Sequence, residues 1–153
     1  MTLLAIDLGL RAGFAEYSEE GRLVRYGSTN FGTIARLKKG AFREVGQLES
    51  LSALVVEGDV NLARPWIKAA EKRGAKTLLV QAHQWRKDLL LDREQRSGVE
   101  AKKVADARAR EIIDASSAKK PTSLRHDAAE AILIGWWGCI QLGWVSPDQR
   151  ASG

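Results

Sequence analysis

Residues 3–9, LLAIDLG, and residues 52–59, SALVVEGD, carry the same pattern twice. In each, a short apolar run ends at an acid, Asp7 in the first and Glu57 in the second, with a glycine within the next two positions. A run of this kind reads as a buried β-strand entering a turn. Parallel strands in one sheet bring such ends to a common edge, and open α/β sheets bind ligands at that edge. The repeated pattern therefore predicts both a sheet and a place for chemistry.

Outward from the first strand, residues 13–31 (GFAEYSEEGRLVRYGSTNF) alternate in part around Glu20-Gly21, which predicts a hairpin and two antiparallel strands. From Thr33 to about Ser50, Ile34, Leu37, Phe42, Val45 and Leu48 recur at helical spacing, while Gly40 and Gly46 count against a helix. Leu62 to Arg73 is helical in pattern with Gly74 as its stop, and residues 76–80 (KTLLV) form a further buried strand. Helices follow over Gln84 to Leu91, Val99 to Ala115 and Ser123 to Leu142. The stretch SSAKKPTS (116–123) is a loop, with Ser123 as the expected N-cap of the last helix. The pattern predicts one mixed α/β domain over residues 1–145, its sheet covered on both faces, and a disordered tail over 146–153.

The chain has 153 residues, the size of one ordinary domain with a core that needs no staples. No tract is long or apolar enough to span a bilayer, and the first residues lack a basic leader, so a cytoplasmic protein without membrane contact is expected. Cys139 is the only cysteine and falls in an apolar run, which excludes a disulfide framework and a cysteine-based zinc site. Lys and Arg number 24 against 19 Asp and Glu, a net +5 that is compatible with a polyanionic partner.

Residues 124–138 read LRHDAAEAILIGWWG, and two acids open a segment that then turns almost wholly apolar. Asp127 and Glu130 lie on one helix face, where like charges repel unless a cation separates them. If this helix starts at the edge carrying Asp7 and Glu57, four carboxylates converge. Oxygen-only donors select hard divalent ions, Mg²⁺ or Mn²⁺, over zinc. A pair of such ions about 3.5–4 Å apart suits phosphodiester hydrolysis, with one ion activating water and the other stabilising the leaving oxygen. Each acid alone has a plainer reading: Asp7 as a turn former, Glu57 as a solvated loop residue, and Asp127 and Glu130 as favourable charges near a helix N-terminus.

At these residues the sequence resembles the RuvC-type Holliday junction resolvases of the RNase H-like superfamily. AIDLGLRAGFA is similar to the first-strand motif, VVEGDVN to the fourth-strand motif, and HDAAEAILIG to the C-terminal helix motif, which maps its acids onto Asp127 and Glu130. The resemblance implies an RNase H-like fold with a central mixed five-stranded sheet flanked by helices. It implies a homodimer, two Mg²⁺ ions per site with Mn²⁺ as a substitute, and paired nicking of four-way DNA junctions. Asp7, Glu57, Asp127 and Glu130 are then the catalytic metal ligands. Two departures stand out: Glu130 where the family commonly has Asp, and Val60 where cellular resolvases tend to carry a wedging aromatic. The compact form is more similar to phage-encoded members, which often accept a broader range of branched DNA.

Phosphate contacts are expected from Arg86 and Lys87 beside Trp85, from Lys102 and Lys103 in the charged helix, and from Lys119 and Lys120 in the loop before the acidic pair. Arg36, Lys38, Lys39 and Arg43 form another basic cluster, and Arg93 and Arg96 follow Lys87. The resemblance places a basic helix start near the scissile phosphate, which favours Lys102 and Lys103. Acids interspersed from Val99 to Ala115 equally describe a solvated, salt-bridged face. Trp136 and Trp137 read as core or subunit interface. Trp85 reads as core, with stacking on a base as the alternative. His126 adjoins Asp127 as a proton carrier or a partner of the ligands, but its i, i+3 position is Ala129, which makes it a poor metal ligand.

Other readings remain. YqgF-type RNA-processing proteins share the Asp-Gly first strand but differ where this chain has Glu57. Actin and sugar-kinase ATPases share a DLG hairpin but need two such domains. A noncatalytic nucleic-acid binding module would leave the four acids unexplained.

Overall fold

A computed structural model describes residues 1–90 and 97–148. The end of the expected helix at Leu91, the cations Arg93 and Arg96, and residues 149–153 of the expected tail lie outside that description. Strands β1 (Thr2–Asp7), β2 (Arg11–Ser18) and β3 (Leu23–Asn30) are followed by helix α1 (Ile34–Gln47). Next come β4 (Leu51–Glu57), α2 (Val60–Lys72), β5 (Lys76–Val80), α3 (Ala82–Leu89), α4 (Gly98–Asp114) and α5 (His126–Gln141). The mixed sheet has the order β3-β2-β1-β4-β5, antiparallel through the first three strands and parallel from β1 through β4 to β5.

Register decides where the acids go. Asp7 pairs with Glu57 across β1 and β4, and Glu57 pairs with Val80 on β5. Residues paired across adjacent strands point to the same face. Leu3, Ala5, Ala53 and Val55 belong to the core beneath α4 and α5, while Leu4, Ile6, Leu54 and Val56 belong to the core beneath α1 and α2. By the same alternation Asp7 and Glu57 face α5.

Glycine lets α5 lie close to the sheet. A Cβ on Gly13 would fall 1.9 Å from the carbonyl oxygen of Asp127, one on Gly135 would meet the Tyr17 ring at 2.4 Å, and one on Gly138 would meet Leu3 and Val55 at 2.9 Å. The Tyr17 hydroxyl, fully buried, donates to the carbonyl of Ile132 at 2.5 Å and ties β2 to the middle of α5. Gly40, which weakened the helical reading of α1, sits where a methyl would strike the Phe31 ring at 2.2 Å. Tertiary packing there outweighs the modest propensity cost of a helical glycine.

The start of α5 differs from expectation. Ser123 does not cap it: Arg125 occupies the N-cap position with no side-chain cap bond, and the helix begins at His126. Only Asp127 is then in the first turn, with Glu130 one turn further in. All three tryptophans in question are core, with Trp85 at 0% exposure and Trp136 and Trp137 at 8% each, so Trp85 offers no face for stacking. The Trp137 indole donates to Asp88 of α3 at 2.8 Å. Cys139 is buried, and burial pushes its thiol up to about 12, which makes it inert. Among the described residues no helix is long and apolar enough to cross a membrane.

Candidate acidic active site

Asp7 and Glu57 sit side by side at the carboxyl ends of β1 and β4, their side chains within hydrogen-bonding reach of each other. Burial pushes the Asp7 carboxyl up to about 8, and the neighbouring Glu57, Glu130 and Asp127 charges add to the shift. Glu57 is also raised, again chiefly by burial, but Asp7 and Arg86 oppose the rise. Burial therefore favours one proton shared by the pair. The Trp85 indole N–H is directed at Glu57 closely enough to favour its ionised form, yet lies outside hydrogen-bond geometry and has no other partner among the described residues.

Helix α5 delivers the other two acids. The backbone of Asp127 rests against Gly13, itself the β2 partner of Asp7, and this contact sets the depth of the first turn. Its carboxylate accepts from the Ser28 hydroxyl at 2.9 Å and from the Ala128 N–H at 2.8 Å. Arg125 stands 3.8 Å away. Glu130 is 4% exposed. Its Oε1 accepts from Arg86 of α3 at 2.8 Å, and Nε2 of His126 lies 2.9 Å from the same oxygen, while Oε2 is buried without a hydrogen-bond partner. A buried carboxylate with one lone oxygen costs free energy that a cation would recover.

The structure thus places all four acids at one sheet edge, with electrostatic coupling from Asp7 to each of the other three. Among the described residues, no three His, Cys, Asp or Glu side chains are arranged as a ready metal cage. Two compensations take the place of one: the proton shared by Asp7 and Glu57, and the Arg86 guanidinium and His126 ring packed on Glu130. His126, expected as a proton carrier or a partner of the ligands, meets Glu130 at i, i+4, a contact that the i, i+3 register to Ala129 did not reveal. Arg86 was legible only as a cation beside an aromatic. Its guanidinium, half-buried over the Trp85 ring with its carbon 5.2 Å from the centroid, turns inward to the acids.

The other basic residues expected to hold phosphates make no contact with the four acids among the described residues. Lys87, Lys102, Lys103, Lys119 and Lys120 are exposed. Lys120 approaches Asp114 at 3.9 Å, a solvated pair of little energetic weight. The Lys119 carbonyl accepts from the Tyr26 hydroxyl, which pins the 116–125 loop to β3. Val60, half exposed, opens α2 immediately beyond the acidic edge, and Asp59 caps that helix through the Asn61 and Leu62 N–H groups.

No family model matches the chain, and no curated protein matches it. Among solved structures, that of T. thermophilus RuvC in complex with Holliday junction substrate is similar, with a TM-score of 0.59 over 94% of this chain and 96% of that one. The chain has the RuvC-type, RNase H-like fold. Sequence identity over the match is 14%, so the likeness is one of architecture: among the described residues, a mixed five-stranded sheet flanked by five helices.

Proposed function

We propose that this protein is a metal-dependent, structure-selective DNA endonuclease that resolves four-way junctions by paired nicking. One observation carries the reading: four carboxylates meet at the edge of a RuvC-type sheet, and burial and mutual repulsion hold the Asp7 carboxyl near 8. Support also comes from the similar fold of a protein captured with Holliday junction substrate.

The donor chemistry fits Mg²⁺ or Mn²⁺: every candidate ligand atom is a carboxylate oxygen, and Glu130 Oε2 is buried without a partner. Asp7, Glu57, Asp127 and Glu130 would hold two such ions, which supply charge to the phosphodiester and lower the cost of generating the attacking hydroxide. The protein's own groups do the rest. The Asp7 and Glu57 pair would hold the cations once free of its shared proton, Ser28 fixes the Asp127 carboxylate, and Arg86 with His126 orients Glu130. Lys87, Lys102, Lys103, Lys119 and Lys120 contact phosphates, whereas Arg86, expected to do the same, is engaged with Glu130. A homodimer would present two sites to the two continuous strands of a junction.

The test is a labelled four-way junction and a matched linear duplex, incubated with Mg²⁺, with Mn²⁺ and with chelator, alongside the Asp7→Asn variant. Paired metal-dependent nicks confined to the junction and absent from the variant are expected. Junction binding without cleavage in any metal would overturn the assignment in favour of a noncatalytic nucleic-acid binding protein.

A further inference from the structure

On the face of the sheet away from α5, helices α1 and α2 enclose an open groove of about 660 Å³. Four cations line it, Lys38 from α1 and Arg64, Lys68 and Lys72 from α2, and none of its lining residues is acidic. All four are exposed. Among the described residues, Lys38, Arg64 and Lys68 make no ion pair or side-chain hydrogen bond. Apolar surface is exposed alongside them, with Phe42 at 61% and Ile34 at 49% exposure, and the Lys72 ammonium lies 5.5 Å from the centre of the Phe42 ring. Uncompensated cations beside a projecting aromatic ring match what an unpaired nucleic-acid strand needs, a charged track for the backbone and a surface on which a base stacks.

Direction strengthens the match. Helix α2 starts three residues after Glu57, and α1 starts four residues after the end of β3, whose last residue pairs with Arg11 at the edge where β1 ends. Both helices therefore run from the acidic edge toward the opposite one, with Ile34 at the near end of the groove and Phe42 and Lys72 at the far end. We propose that the α1/α2 groove binds an unpaired DNA strand that leaves the acidic edge, with its phosphates on Lys38, Arg64 and Lys68 and a base stacked on Phe42. A second copy of the chain is a poorer occupant. A twofold interface would bury this cation-rich patch from both chains, and none of its lining residues is acidic.

That the strand belongs to a branched substrate rests on the endonuclease reading; that the groove holds single-stranded DNA does not. The experiment is fluorescence anisotropy of a short labelled thymidine oligonucleotide in chelator, where no cleavage occurs, with light scattering of the same samples. Arg64→Ala/Lys68→Ala is expected to weaken binding about tenfold at low salt and to flatten the salt dependence. Phe42→Ala, a change at an exposed ring, is expected to weaken binding at least about fivefold. The charge-matched control Arg22→Ala/Lys76→Ala, on exposed residues away from the groove, is expected to change binding less than twofold. Equal losses in the groove and control variants, or undiminished binding in both groove variants, would overturn the proposal. So would a Phe42→Ala protein that changes from dimer to monomer with its affinity per chain intact. Groove-dependent binding in a protein that never cuts a junction would sink the endonuclease reading and leave the groove standing.

Discussion

The two faces of the sheet solve the same packing problem in opposite ways. Toward α5, glycines at 13, 135 and 138 remove side chains so that helix and sheet nearly touch, and the close approach carries Asp127 and Glu130 into the acidic edge. Toward α1 and α2, large side chains fill the space: Trp66 meets Phe31 edge-on with ring centres 6.0 Å apart, and the two helices leave a basic groove between their outer faces. The first face buries charge and requires compensation for it. The second keeps its charge in water, where it is available to a partner.

The contrast is broken most severely by Gly13→Ala. The new methyl would lie 1.9 Å from a backbone oxygen, so α5 must lift away from β2, and a loss of about 3 kcal/mol in urea unfolding is expected. A smaller change would show the gap between helix and sheet to be tolerant and the acids to be placed by other contacts.

Charge on the α5 face gives the next largest effect. The Asp7 pKa is raised from 3.8 to about 8 on folding, so the folded protein binds more protons than the unfolded chain between those values. Stability of the metal-free protein must therefore fall as pH rises from about 4 to 8. Asp7→Asn should remove most of that slope and, at pH 8 in chelator, be more stable than the parent by about 2 kcal/mol, a figure reduced from the full shift because Asp7 keeps some solvent contact. Thermal melts across this pH range would check it, and a parent protein with flat stability would refute the upward shift of the Asp7 carboxyl. Divalent cations should close the gap between parent and variant, since they bind the native acids.

Tyr17→Phe tests the same face more gently. It leaves the Ile132 carbonyl with its helical bond but removes a buried hydroxyl contact, for an expected loss of about 1 kcal/mol in denaturant unfolding. On the opposite face, Gly46→Ala sharpens the comparison by reversing the sign. Gly46 is inside α1 with nothing within 4 Å of its missing methyl, so alanine should stabilise the protein by about 0.5–1 kcal/mol. Destabilisation there would mean that the α1 surface is less open than its geometry indicates.

Local pattern made much of the architecture legible. The apolar runs closed by Asp7 and Glu57 are adjacent parallel strands, Lys76–Val80 is a strand with the expected limits, and Gly74, at φ +74°, follows α2 as its stop. Where reading failed, a neighbour distant in sequence was responsible. Ser123 has the chemistry of a cap, but the tie between the Tyr26 hydroxyl and the Lys119 carbonyl holds the preceding loop on β3, and the helix starts after Arg125. Trp85 has cationic neighbours in sequence but is fully enclosed by the core beneath α5.

What the sequence by itself determined is that two buried strands end at Asp7 and Glu57 and that Asp127 and Glu130 lie near the start of an apolar helix, because alternation, run length and glycine stops are local properties of the chain. What the tertiary structure alone decided is how those acids are satisfied. Arg86 lies 44 residues from Glu130 and Ser28 lies 99 from Asp127, and both contacts depend on the distance at which α5 docks on the sheet. That distance is set by steric room at Gly13, Gly135 and Gly138, a three-dimensional property that no periodicity along the chain encodes.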